Sequence, residues 1–244
     1  MKKLLIILLA FLFAVSCATK EPEEVKVLIT IPPQVHQTFK NFSMVMNEGN
    51  FLRNTALIVN EVSYFEPEIG HFLSLCEIAV SEGIDSLHGL SVTQNRMCVI
   101  ALVKNEHLSV PSGLWYQFAP SDGRFVVAAT SDLNGPEYPF LVVPEGEFDA
   151  SYFIRVFAHE GLHLMRLKKG MDCRDPDDRE CMIHEEVLAY ETQFKVLRAQ
   201  KLDGSFTVPD KISKNNKLAL EMEQDLYNQY KQGSLKDYLI QIGY

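Results

Sequence analysis

The chain lacks any surplus of positive charge. Of its 244 residues, 23 are Lys or Arg and 32 are Asp or Glu, a formal net charge of −9. That excludes the broad basic surface with which proteins neutralise nucleic-acid phosphates, so no nucleic-acid partner is expected. No C-x-x-C spacing occurs, which argues against a cysteine-built metal site. There is no internal repeat and no low-complexity tract. Beyond the first sixteen residues no apolar run approaches the about 20 residues of a membrane-spanning helix. What is present, 47% hydrophobic and 23% charged residues, is the composition of an ordinary globular domain. The length suffices for one sizeable domain or two small ones.

The N-terminus has a different character. "MKK" is basic, "LLIILLAFLFAV" is apolar, and "SC" follows. This is the order of a secretory signal peptide, and the apolar run is short for a transmembrane helix. "FAVSC" resembles the lipobox of bacterial lipoproteins, with Ala14 where Leu is commoner. The resemblance implies removal of residues 1–16, acylation of Cys17 and attachment to a lipid bilayer in the cell envelope. Residues 17–25, polar and charged, would then be a lipidated tether, with the folded domain over 26–244. Ala18 after the cysteine resembles the pattern sent to the outer membrane where a bacterium has two. The alternative is a plain secretory signal, with Cys17 an ordinary thiol.

Four further cysteines, Cys76, Cys98, Cys173 and Cys181, are an even number, as suits disulfides in an oxidising compartment. Cys173 and Cys181 bracket the polar segment "RDPDDRE", which suggests a local bridge and leaves Cys76 to pair with Cys98. Four cysteines allow three pairings, and four free thiols are the alternative.

The pattern of residues predicts an α+β domain, strand-rich in its first half and helical in its second. "KVLITIP" (26–32) reads as a strand ended by Pro32 and Pro33; "RMCVIALV" (96–103) and "PFLVVPEG" (139–146) read as strands; residues 114–130 read as a hairpin around Ser-Asp-Gly. Residues 34–65 mix helical spacing with β-branched residues and stay open. Asp149 is a suitable N-cap for a helix running to Lys169, with Gly170 just beyond its end. Further helices are predicted over about 180–202 and 213–231.

The first of these helices carries "FAHEGLHLMRLKKG" (157–170). His159 and His163, four apart, share one helix face and can offer two imidazole nitrogens to one metal ion. Zinc suits such nitrogen ligands, and a catalytic zinc keeps a position open for water. Glu160, beside the first histidine, can reach that water as general base without itself binding metal. This is the mechanical content of H-E-x-x-H. The apolar neighbours Phe153, Val156, Phe157, Leu162 and Leu164 imply a buried helix, where polar side chains need partners. Histidines merely hydrogen-bonded in a core are the plainer reading.

A third protein ligand is needed. The metzincin extension fails, because Arg166 and Lys169 stand where that class has Gly and His. Downstream, "CMIHEEVLAYETQF" offers Glu185, Glu186 and Glu191. Here the chain resembles the gluzincins, zincin metallopeptidases whose third ligand is a Glu on a following helix, in several families as E-x-x-A. "EVLA" (186–189) fits, so the resemblance implies Glu186 as ligand, with Glu185 the other candidate; Asp172 or Asp175 would instead imply an aspartate-ligand zincin, whose G-T-x-D pattern is absent. It covers about residues 150–200. It implies one zincin-like domain, one zinc ion per chain, a peptide or protein substrate, and a peptide held along an edge strand, for which 125–130 or 140–143 would serve, though both read more simply as core strands. Thermolysin-like enzymes often carry an acid four residues after the Glu ligand; here Tyr190 stands there, more simply explained by core packing. A rival from another class is a zinc-binding lipoprotein that recognises envelope partners without cleaving them; a lipoprotein holding no metal is a second. His36, His71, His88 and His107 are assigned no role.

Overall fold

The computed structural model describes residues 43–81, 98–103, 126–130, 138–171, 173, 178–200 and 214–243. The signal segment, Cys17, the tether, the strand expected over 26–32 and the first arm of the hairpin expected over 114–130 lie outside the described residues.

Helix and strand are mixed. Strands β2 (Glu77–Ser81), β3 (Val99–Val103), β4 (Val126–Thr130) and β5 (Tyr138–Pro144) form a sheet in the order β2-β3-β5-β4. β2, β3 and β5 are mutually parallel, whereas β4 runs antiparallel to β5. The apolar runs anticipated near 96–103 and 139–146 thus supply the two interior strands. Val99, Ile100, Ala101 and Leu102 on β3 and Leu141, Val142 and Val143 on β5 are buried without alternation, as parallel strands covered on both faces require. The residues of the expected hairpin that are described, β4, pair with β5, and β4 forms one edge of the sheet among the described residues. Cys76, just before β2, is bonded to Cys98, just before β3, with Cα atoms 4.5 Å apart.

The first half is less strand-rich than its sequence suggested. The open stretch contains a short strand, β1 (Ser43–Met46), and a helix, α1 (Phe51–Phe65); a second helix, α2 (Pro67–Ser74), follows with proline at its first position. Phe51, Thr55, Ile58, Val59 and Val62 fall on one face of α1 and are buried. Their burial outweighs the weak helix propensity of the β-branched residues among them.

β1 pairs antiparallel with β6 (Gly146–Asp149), which feeds directly into α3 (Ala150–Lys168). The Asp149 carboxylate accepts a 2.8 Å hydrogen bond from Tyr152 N–H and so caps this helix. Gly170, at φ 66°, turns the chain out of it. From Ala150 to His159 every residue of α3 is buried. The helix lies against β5 and β4, against α1 and α2, and against α4 (Arg179–Ala199). Helices α5 (Lys214–Gln232) and α6 (Leu235–Ile242) complete the chain; α6 has no counterpart in the sequence reading.

Two glycines set how closely the helices approach. A Cβ on Gly161 of α3 would stand 2.6 Å from Ile69 Cγ2 of α2, and one on Gly70 of α2 would stand 2.3 Å from Ser63 Cα of α1. A side chain can turn aside but backbone cannot. Gly70→Ala is therefore expected to destabilise the protein by about 3 kcal/mol, near the top of the usual overpacking range. Gly161→Ala should cost less, because the atoms it meets are side-chain ends of Ile69 and Leu73 that can shift. Thermal melts of both variants check this order.

Candidate metal centre

α3 and α4 run side by side, and their facing residues build the site. His159 and His163 project from α3, with ring centroids 5.0 Å apart. Glu186 reaches across from α4: its Oε2 lies 3.6 Å from His159 Nε2 and its Oε1 3.6 Å from His163 Nε2. These distances are too long for hydrogen bonds. They come close to the about 3.3 Å that separates two ligand atoms each about 2.0–2.1 Å from one tetrahedral ion. His163 Nε2 is buried with no hydrogen-bond partner, a cost that a metal ion in that gap would remove. Ligand atoms of His159, Glu160 and His163 also lie within 4.8 Å of one another. Two carboxylates thus converge on the histidine pair, and Glu186 is the one that faces both Nε2 atoms. The donor set, two neutral imidazoles and a carboxylate, suits zinc.

Glu185, adjacent in sequence, is engaged elsewhere. Its two oxygens accept from Arg166 Nη2 at 2.6 Å and Nε at 2.7 Å. The same Arg166 donates to the Met171 carbonyl at 3.0 Å, holding the end of α3 to the start of the next segment. Asp172 and Asp175 lie outside the described residues. Cys173 is bonded to Cys181, with Cα atoms 5.7 Å apart, and the Asp178 carboxylate caps α4 through Cys181 N–H at 3.0 Å. The bridge ties the chain between the two histidines and Glu186. Tyr190 serves packing and site together: its ring stands edge-on to His159 with centroids 4.6 Å apart and stacks on Phe194 at 5.8 Å.

The sequence reading missed the polar layer behind the histidines. Arg155, 1% exposed, pairs with Glu223 of α5, and Gln193 of α4 joins them. Arg155 could have been singled out as a lone charge in the apolar run "SYFIRVFA". Nothing in "LEMEQDLY" distinguishes Glu223 from its acidic neighbours.

Burial dominates the electrostatics. It pushes the Glu160 carboxyl up to about 8, with His159 opposing and Glu186 adding to the rise. It pushes His163 down to about 4. Burial would raise Glu186 as well, but the facing imidazoles outweigh it and hold that carboxyl below its ordinary value. For His159, burial lowers the pKa, yet Glu186, Glu160 and Gln193 together raise it above the ordinary histidine value.

These shifts predict how the metal-free protein responds to pH. Glu160 keeps its proton to about 8 in the fold but releases it near 4.5 when unfolded, so its contribution is complete below 4.5 and is lost as pH rises through 8. The raised His159 acts in the same sense. His163 acts oppositely, but only below its unfolded value of 6.5, where stability falls as pH drops towards 4. Above 6.5 the first two act alone. The urea midpoint of metal-free protein should therefore be lower at about pH 8.5 than at about pH 6.5, by on the order of 1 kcal/mol in stability. Glu160→Gln should remove most of that difference.

No protein-family model, no curated protein and no solved structure matches this chain. Among the described residues no helix is long and apolar enough to cross a membrane.

Proposed function

We propose that the chain is a zinc-dependent peptidase of gluzincin type, with one zincin-like domain anchored at a bacterial cell envelope through acylated Cys17. The observation that carries the reading is the partly buried Glu186 carboxylate set 3.6 Å from both His159 and His163 Nε2, with Glu160 alongside. His159, His163 and Glu186 would hold the ion. Bound zinc supplies Lewis acidity, acidifying water and polarising a carbonyl. Glu160 takes the proton of the attacking water and delivers it to the departing amine. Near a divalent cation its ionised form is favoured, so the carboxyl that keeps its proton in the metal-free site becomes a base. Tyr190 packs edge-on against the His159 ring and covers that side of the site. An extended peptide would be accommodated along β4, which packs against α3 and is an edge of the sheet among the described residues.

The test is a soluble form spanning residues 18–244, assayed for metal and for cleavage of a broad peptide library. About one zinc per chain, and cleavage abolished by a chelator, are expected. Protein without zinc would overturn the reading. Zinc without cleavage would favour an envelope binding protein instead.

A further inference from the structure

One nitrogen of the histidine pair is unaccounted for by the proposed ligands. His159 Nδ1 is buried and has no hydrogen-bond partner among the described residues. Metal-binding histidines generally donate this proton to an oxygen, which fixes the ring's tautomer and orientation. Tyr190 sits edge-on to the ring. The next residue on that face of α4, one turn on, is Gln193, 4% exposed.

The Gln193 amide is not free to turn. Its Nε2 donates to Glu223 Oε1 at 2.7 Å. Glu223 is itself gripped by Arg155, whose Nε donates to Oε1 at 2.7 Å and whose Nη2 donates to Oε2 at 2.5 Å. Arg155 Nη1 further donates to Gln200 Oε1 at 2.9 Å, and Gln200 Nε2 donates to the Ser151 carbonyl at 3.3 Å. An ionised carboxylate only accepts hydrogen bonds. The NH2 end of Gln193 must therefore face Glu223, which leaves its carbonyl oxygen for His159, the residue with which it also interacts.

We propose that Gln193 is the positioning residue for His159: its carbonyl oxygen, aimed by Glu223 and Arg155, takes the Nδ1 proton and holds the imidazole as the tautomer whose Nε2 lone pair faces Glu186. The inference rests on the zinc reading of the site. It gives the buried Arg155–Glu223 pair a task beyond joining α3 to α5, since the pair sets the polarity of the amide that in turn sets the ring.

Gln193→Met keeps length and volume, removes the carbonyl and leaves Glu223 with Arg155. Chelator competition should show zinc bound about 10–100-fold more weakly, the usual cost of losing such a partner. In zinc-loaded wild type, proton NMR should show a slowly exchanging His159 Nδ1–H, and the variant should lose that protection. A purely structural role would lower the melting temperature without changing Nδ1–H exchange relative to other core protons. Equal zinc affinity in a folded variant overturns the inference and leaves the zinc reading standing. So does a wild-type spectrum in which the His159 Nδ1–H is unprotected, a result that needs no variant to fold. Wild type that binds no zinc overturns both.

Discussion

Glu160→Gln should retain about one zinc per chain while peptide cleavage falls by about 10²–10⁴-fold, the scale of a positioned acid–base group. Glutamine keeps the size and much of the hydrogen bonding of glutamate but cannot accept a proton. Glu160 follows His159 directly, yet it is Glu186 that stands 3.6 Å from both imidazole Nε2 atoms. Metal should therefore survive the substitution, and metal analysis beside a peptide digest separates the two roles. His159→Ala should lose zinc and activity together. A Glu160→Gln protein that cleaves like wild type would remove the proposed mechanism, and one that loses its zinc would make Glu160 a ligand.

The second large effect concerns the neighbouring glutamates. Glu186→Ala removes the carboxylate facing both histidines and should weaken zinc binding by more than the about 10–100-fold attached to an outer partner. Glu185→Ala should leave zinc affinity nearly unchanged, because that carboxylate is held by two hydrogen bonds from Arg166. Its cost should appear as stability, since it strands a partly buried guanidinium. Zinc titrations and thermal melts of the two variants should rank them in opposite orders. A reversed zinc ranking would transfer the ligand role to Glu185.

The helix bearing the histidines was legible from its sequence because local signals agreed. Asp149 caps it, Gly170 ends it, and apolar residues surround H-E-x-x-H between them. The interior strands β3 and β5 were legible as short apolar runs. Helix α1 was not, because its β-branched residues and its helical spacing point to different elements, and only burial against α3 decides between them. Glu185 and Glu186 illustrate another limit. Adjacent residues on a helix point about 100° apart, so which of them meets the histidines depends on how α4 is rotated, a tertiary quantity. The Arg155–Glu223–Gln193 layer joins three helices across separations of 30 and 68 residues, and no local pattern records such a meeting.

The Cys173–Cys181 bond has a consequence for the life of the protein among proteases. It encloses the polar segment "RDPDDRE", and the histidines lie on one side of it and Glu186 on the other. A single cut anywhere inside that segment leaves both pieces covalently joined, with α3 and α4 still packed together. Such nicked protein would run as two fragments only after reduction, and the constellation of His159, His163 and Glu186 would not depend on an unbroken backbone.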